Sequence, residues 1–296
     1  MTKPLSQPHR KAGKAARLRQ RPESFRRLSG LSVEKFGELL DQLEPLWQEA
    51  EHKRLARPER RRAIGGGRNY DLPLSDRLLL LLLYYRLYVS QATLGFWFDM
   101  DDSAVSRRIR QLDPEPLLAQ FFKIPERKIE MSEAEIEEIE QLFFDATEQP
   151  IQRPGKKGHQ KRYYSGKKKR HTIKHQVVTD HKGRIQAVSV AYPGRVHDKK
   201  IYDQEPVQRP PEVPAKGDSG YQGSDLQTPH KKSKGGSLSE QQKAQNRQHA
   251  RERIVVEHGI GRMKVFQILA QRFRNALSRH TLIFKNVAGL ANLRFA

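Results

Sequence analysis

Apolar and polar residues alternate along this chain with two different periods. Between Leu31 and residue 60 the apolar positions Leu31, Phe36, Leu39, Leu40, Leu43 and Leu46 recur at helical spacing behind Ser32, a good N-cap. The Gly65–Gly67 triplet breaks the pattern. A second helical stretch follows, with Ser75 placed to cap a helix through Leu78–Val89, and Gln91–Phe98 fits another. Asp99–Asp102 reads as a turn, Ser103 as an N-cap and Ala104–Leu112 as a third helix that Pro114 ends. Helix, short turn and short basic helix is helix-turn-helix patterning, in which the last helix enters the major groove.

Beyond residue 125 the texture changes. Ser132 and Glu135 have capping-box spacing. Leu142–Thr147 reads as a strand with Asp145 near its end. Thr172–Asp180 and Ile185–Tyr192 read as strands joined by the turn at Asp180–Gly183, and Lys216–Tyr221 as a shorter one. Ser239–Leu269 is one long helical stretch. The pattern predicts three segments: a mobile basic arm over residues 1–30, an all-α helix-turn-helix domain over 31–125, and an α/β domain over 126–296.

Charge narrows the function. The chain has 56 Lys+Arg against 34 Asp+Glu, 56 − 34 = +22 over 296 residues. Such an excess repels itself and calls for a polyanion, of which nucleic acid is the commonest. Nine Lys/Arg and one Glu fall in residues 1–30. Nine more, with no acid and with the pair Tyr163-Tyr164, fall in Arg153–Arg170, a composition suited to a phosphate backbone and an unpaired base. The longest apolar run, Leu78–Tyr85, is far short of the ~18 residues of a membrane span. The basic start lacks the apolar core of a secretory signal. Without cysteine there are no disulfides or thiolate zinc sites.

Three acids stand out. Asp145 follows Leu142, Phe143 and Phe144, where an acid is either a turn residue or a ligand. Asp218 sits among Gly217, Gly220 and Gly223, which permit a turn or close approach to a ligand. Arg253, Glu257 and Lys264 share a helix face, as in a surface ion-pair ladder or the rim of a site. Beside Ile254, Val255 and Val256 that face is the helix's open side. Carboxylates from distant segments are what two-metal phosphoryl transfer uses, since hard divalent cations take oxygen ligands. His197-Asp198 precedes a short helix at Lys199–Asp203, with Asp198 its N-cap and His197 a lesser candidate for the site.

Taken in order, Asp145-Ala-Thr-Glu148, Tyr164-Ser-Gly-Lys-Lys-Lys169 with His171-Thr-Ile-Lys174, Gly194-Arg-Val-His-Asp198, Gly217-Asp-Ser-Gly-Tyr-Gln-Gly223 and Arg253…Glu257…Lys264 resemble the DDE transposases of bacterial insertion sequences, most closely the insertion-sequence-five family. The resemblance spans roughly residues 140–290. Ala250 stands where the family often has Tyr, and Ser219 where it often has Lys. The resemblance implies a ribonuclease-H-like catalytic domain with Asp145, Asp218 and Glu257 as metal-binding triad, the last two 257 − 218 = 39 residues apart. It further implies two Mg²⁺ ions, with Mn²⁺ as a substitute. The partners would be double-stranded DNA, as terminal inverted repeats and target, and further copies of the chain on that DNA, in a prokaryotic cytoplasm at the nucleoid. Arg107, Arg108 and Arg110 on the third helix, Lys167, Lys168 and Lys169 in the basic segment, and Arg253 and Lys264 beside the triad are the expected DNA contacts. Two other activities suit the same domains: a metal nuclease that only hydrolyses, and a non-catalytic DNA-binding regulator derived from a transposase.

Overall fold

The computed structural model describes residues 13–56, 72–112 and 118–294. They divide into two compact units. One holds the described residues up to Tyr84 together with Val89–Leu112, and the other holds Tyr85–Tyr88 with the residues from 118 onward.

The first unit is helical. It contains α1 (Lys14–Arg19), α2 (Pro22–Ser29), α3 (Val33–Leu55), most of α4 (Leu74–Leu87), α5 (Gln91–Phe98) and α6 (Asp102–Leu112). The stretch 13–30, expected within a mobile arm, therefore folds. Phe25 of α2 is fully buried and meets Phe36 of α3 edge-on at 5.0 Å. Asp76 of α4, buried, accepts the backbone N–H groups of Lys14 and Ala15 at 3.0 and 2.7 Å. It thus serves as a distant N-cap for α1, whose own N-cap is Gly13 with no side chain to offer. Ser32 caps α3 as its position suggested. Ser75 does not cap α4, because the helix already begins at Leu74. Leu78 to Leu83 are buried all round, which matches the lack of a polar face there.

Helices α5 and α6 form the helix-turn-helix. Asp99 takes a left-handed conformation, and the Met100 N–H donates to the Gly95 carbonyl to close α5. Only glycine fits at 95, since a Cβ there would lie 2.4 Å from the Met100 oxygen. Asp101, rather than Ser103, opens α6. Its carboxylate accepts the Ala104 N–H at 2.7 Å and the Ser103 hydroxyl at 2.6 Å. Val105, Ile109 and Leu112 face inward.

The second unit is α/β. After α7 (Leu118–Phe122) and α8 (Glu133–Glu138) come β1 (Leu142–Pro150), α9 (Lys157–Tyr163), β2 (Tyr164–Ser165), β3 (Arg170–Asp180), β4 (Ile185–Val188), β5 (Tyr192–Pro193), α10 (Asp198–Gln204), β6 (Ala215–Gly217), a 3₁₀ turn at Ser219–Tyr221, α11 (Glu240–Lys264), α12 (Gln267–Ala270) and α13 (His280–Leu293). One mixed sheet runs β2-β3-β1-β6, with β4 and β5 also on β3. β1 pairs antiparallel with β3 over its whole length and parallel with β6. This mixed sheet with helices packed on it is consistent with the ribonuclease-H-like expectation. On one face Leu142, Phe144 and Val178 pack with Tyr202 and Tyr221 in an apolar core. On the other, α11 approaches β3 through Gly259, where a Cβ would stand 3.0 Å from Thr179.

Four expectations change here. β1 runs five residues past Asp145, which is mid-strand. The strand expected over 185–192 is two, β4 and β5, because the Ser189 hydroxyl takes the Gln176 N–H. The long helix ends at Lys264 and restarts at Gln267. α13 was not anticipated, its apolar residues lying on nearly every side. Among the described residues no helix is long and apolar enough to cross a membrane.

The distant cap is testable. Asp76→Ala leaves two backbone donors of α1 unsatisfied, an expected loss of about 1–3 kcal/mol. Amide exchange in Lys14–Arg19 should accelerate ahead of that in α3; equal protection in both proteins would refute the cap.

Candidate active site

The site begins with strand pairing. β1 and β6 run parallel with Phe144 opposite Gly217, so the next residue of each chain segment, Asp145 and Asp218, leaves the paired region on the same side of the sheet's end. Asp218 turns the chain, its Oδ1 accepting the Gly220 N–H at 2.8 Å. Asp145 Oδ1 accepts the Ala146 N–H at 2.8 Å and lies 3.7 Å from the Arg253 guanidinium. Burial pushes the Asp145 carboxyl up to about 6 against the pull of Arg253 and the Ala146 N–H, and the charges of Asp218 and Asp198 push the same way as burial.

Asp198 is the acid whose role its position in the chain obscured. It is not the N-cap of α10 but its first residue; His197 caps, without a side-chain bond, and stays exposed. The Asp198 carboxylate points inward. A Cβ at residue 220 would lie 2.9 Å from Asp218 Oδ1 and 3.1 Å from Asp198 Oδ2, so the two carboxylates converge over Gly220. Lys174 holds Asp198 at 2.8 Å, donates to the Val196 carbonyl at 2.9 Å and pairs with Glu148 at 3.3 Å. The Thr172 hydroxyl donates to the other Glu148 oxygen at 2.7 Å. Glu148, Lys174 and Asp198 each stood in a motif of the sequence, but nothing in their spacing told that one buried cation joins them.

Asp145, Asp198 and Glu257 line one cleft of about 180 Å³ together with Glu148, Lys174, Lys167, Lys168 and Lys264. Glu257 and Lys264 thus share a face of α11, as their spacing required, and Arg253 on the same helix meets Asp145. Ile254 is 48% exposed, so the packed stripe of this helix is instead Val256, Gly259, Ile260 and Met263. Burial, followed by the charge of Lys168, lowers the Lys264 ammonium, against the pull of Asp145 and Glu148. Among the described residues the buried Arg253 Nε finds no hydrogen-bond partner. Lys169 closes the β2–β3 turn with φ 53° and is not among the lining residues. Among the described residues no three His, Asp or Glu side chains stand close enough together to form a ready metal cage. The donors available are nevertheless all carboxylate oxygens, the set a hard divalent cation takes.

In the other unit, Arg107 and Arg110 are exposed on α6 and hydrogen-bond Ser103 and Ser106 one turn earlier. Arg108 is less exposed and is tied to Gln111, which Arg77 also contacts. Arg107 and Arg110 therefore present their guanidinium groups outward and Arg108 braces the helix.

Behind the cleft lies a buried imidazole pair. His175 Nδ1 meets the Ser189 carbonyl at 2.7 Å, His175 Nε2 meets His280 Nδ1 at 2.8 Å, and His280 Nε2 meets Gln149 Oε1 at 2.8 Å. The Gln149 amide nitrogen donates to the Ile268 and Gln271 carbonyls, so Oε1 can only accept. Two neutral rings supply two hydrogens for these three links. A third proton would complete the chain, but an unmade bond costs about 1–3 kcal/mol, whereas burying an ion costs several. Burial prevails: it pushes His175 down to about 4 and His280 well below the ordinary histidine value.

Two outcomes follow from these contacts. Lys174→Met leaves Glu148 and Asp198 without their cation, and should cost about 3–5 kcal/mol in urea unfolding; adding Glu148→Gln and Asp198→Asn should recover much of it, and no recovery would show that the ion cluster is not the cause. For the imidazoles, the folded value lies below the unfolded one of about 6.5. The unfolded chain gains a proton first, so stability is lost as pH falls from 6.5 toward about 4. Denaturation midpoints measured across that window should fall less steeply for His175→Gln; equal slopes would exclude the pair as a source.

Comparison with known proteins agrees with this architecture. Residues 144–292 match the family model described as DDE superfamily endonuclease, and residues 70–123 match the helix-turn-helix of DDE superfamily endonuclease. The chain is 32% identical to the "Probable transposase for insertion sequence element IS702" of Microchaete diplosiphon, over 97% of this chain and 99% of that protein. It is 29% identical to the "Putative transposase for insertion sequence element IS112" of Streptomyces albus G, over 81% of this chain and 83% of that one. No solved structure matches. With the endonuclease model spanning half its length and the helix-turn-helix model preceding it, this chain belongs to the DDE superfamily endonucleases.

Proposed function

We propose that this protein is the transposase of an insertion sequence, binding the element's terminal inverted repeats through α4–α6 and cutting and joining DNA at the carboxylate cleft. The observation that carries the reading is the meeting of Asp145, Asp198 and Glu257, from three distant parts of the chain, at one cleft lined by lysines, with Asp218 outside that lining but beside Asp198 over Gly220. Asp145, Asp218 and Glu257 act as the metal-binding triad, and Asp198 stands close enough to Asp218 to serve with them. Mg²⁺ or Mn²⁺, in a pair, suits these all-oxygen donors. Bound there, the ions would activate the attacking oxygen and stabilise the leaving one.

The chain's own side chains do the rest. Lys167, Lys168 and Lys264 on the cleft rim, with Lys169 in the same turn, hold the phosphodiester by its charge. Arg253 keeps the Asp145 carboxylate oriented. Water opens the phosphodiester at the element end and leaves a 3′-OH, which then attacks a phosphodiester of target DNA. Each displacement exchanges one P–O bond for another, so no covalent protein–DNA intermediate is required. Arg107 and Arg110 reach base edges or phosphates of the terminal repeat, with Arg108 behind them. Assembly of several copies on DNA and residence at a prokaryotic nucleoid complete the reading.

The test separates binding from chemistry. Asp145→Asn, Asp218→Asn and Glu257→Gln should each lower cleavage of element-end DNA by orders of magnitude in Mg²⁺ or Mn²⁺ while affinity for that DNA survives. Excess EDTA should do the same to the unaltered protein. A variant that still cuts removes its residue from the triad, cleavage in EDTA removes the metal, and cutting without joining leaves a hydrolytic nuclease.

A further inference from the structure

A second cleft, distinct from the carboxylate one, opens on the same unit. Arg153, Gln160, Lys161, Tyr164, His171 and Arg195 line it, around a space of about 820 Å³. Among the described residues, three cations and no carboxylate line this space. Tyr164 is 43% exposed, and its ring meets His171 edge-to-face at 5.6 Å, so His171 does not stack flat against it. Arg153 and Gln160 are hydrogen-bonded to each other at 3.0 Å, and Gln160 is anchored on the Gly155 carbonyl. The wall is therefore built from contacts between α9 and the loop before it.

We propose that this cleft captures an unpaired nucleotide of the DNA strand that lies across the carboxylate site. The chemistry selects the ligand. An aromatic face accepts any base, and cations beside it accept the attached phosphate. A base inside a duplex is already stacked on both sides and cannot reach a ring in a recess, so the ligand has left the stack. A free anion would use the cations but not the ring.

Placement supplies the second argument. Two chain segments run from this cleft to the carboxylate cleft. Gly166 lines one and Lys167 the other; Arg195 lines one and Asp198 the other. Three residues span at most about 11 Å. The two clefts are therefore neighbours, and a base captured in one belongs to the same stretch of DNA as a phosphodiester held at the other. Unpairing a base costs more than one stacking contact returns. The pocket therefore favours DNA in which that cost has already been met.

The proposal rests on the DNA-end reading above, and one experiment distinguishes their failures. The full chain, in Ca²⁺, is titrated with two short duplexes that differ by one nucleotide. One is fully paired and the other carries a single bulged 2-aminopurine. The unaltered protein should bind the bulged duplex about ten-fold more tightly and quench its fluorescence. Tyr164→Phe should keep both effects, because the ring face remains. Tyr164→Ala should lose both while binding paired duplex as before. Arg195→Ala, at an exposed position, should weaken the preference and leave the quenching of the bound form. Equal affinity of the unaltered protein for the two duplexes overturns the pocket alone, as does an undiminished preference in Tyr164→Ala. Failure to bind either duplex overturns the DNA reading and the pocket with it.

Discussion

Holding carboxylates together out of water is the constraint on which the α/β unit depends. Burial raises the cost of ionising Asp145, and the charges of Asp218 and Asp198 add to it. Partly buried acids cannot gather like this unless cations are fixed among them. Lys174 supplies one fixed charge from β3, bonded to Asp198, Glu148 and a carbonyl, and Arg253 supplies another from α11. These cations are set in strands and helices rather than on loops. The full-length β1–β3 pairing puts Lys174 directly opposite Glu148 in register. The site's electrostatics is thus a product of sheet register, and the register is fixed by which face of β1 carries Leu142 and Phe144.

The two faces of β1–β3 accordingly divide the labour. One closes over an apolar core of Phe144, Tyr202 and Tyr221. The other carries Gln149 and His175 beneath α11–α13, in a layer that is polar yet buried. That layer supports α11 from below, through the Gln149 contacts to the carbonyls of Ile268 and Gln271 just beyond it. The position of Glu257 over the sheet depends on this support and on the close passage of Gly259 past Thr179.

Much of this was legible in the sequence, for identifiable reasons. α3, α5, the capping box at Ser132 and the start of the long helix at Ser239 are local events, decided within a few residues. The acids at 145, 218 and 257 each allow a structural reading where they stand, and it is the order of the motifs around them that singles them out as the proposed triad. What was not legible depended on contacts remote in the chain. Asp76 caps a helix 61 residues away. Asp198 has the spacing of an ordinary helix cap, and only Lys174 and Gly220 show that its carboxylate turns inward. α13 carries apolar residues on nearly every side because it is enclosed by its neighbours, and such a segment has no amphipathic period to read. The basic stretch around 13–30 read as solvated because its charges outnumber the one aromatic, Phe25, that fixes it.

Gly220 carries a consequence for how such sequences decay. Two carboxylates converge on the space where any other residue would place its first side-chain carbon. A single methyl group there separates Asp198 from Asp218 without altering either. On the function proposed above, a copy of the element can therefore fall silent with every acid intact, and the bare backbone at residue 220 belongs to the proposed centre as much as the carboxylates beside it.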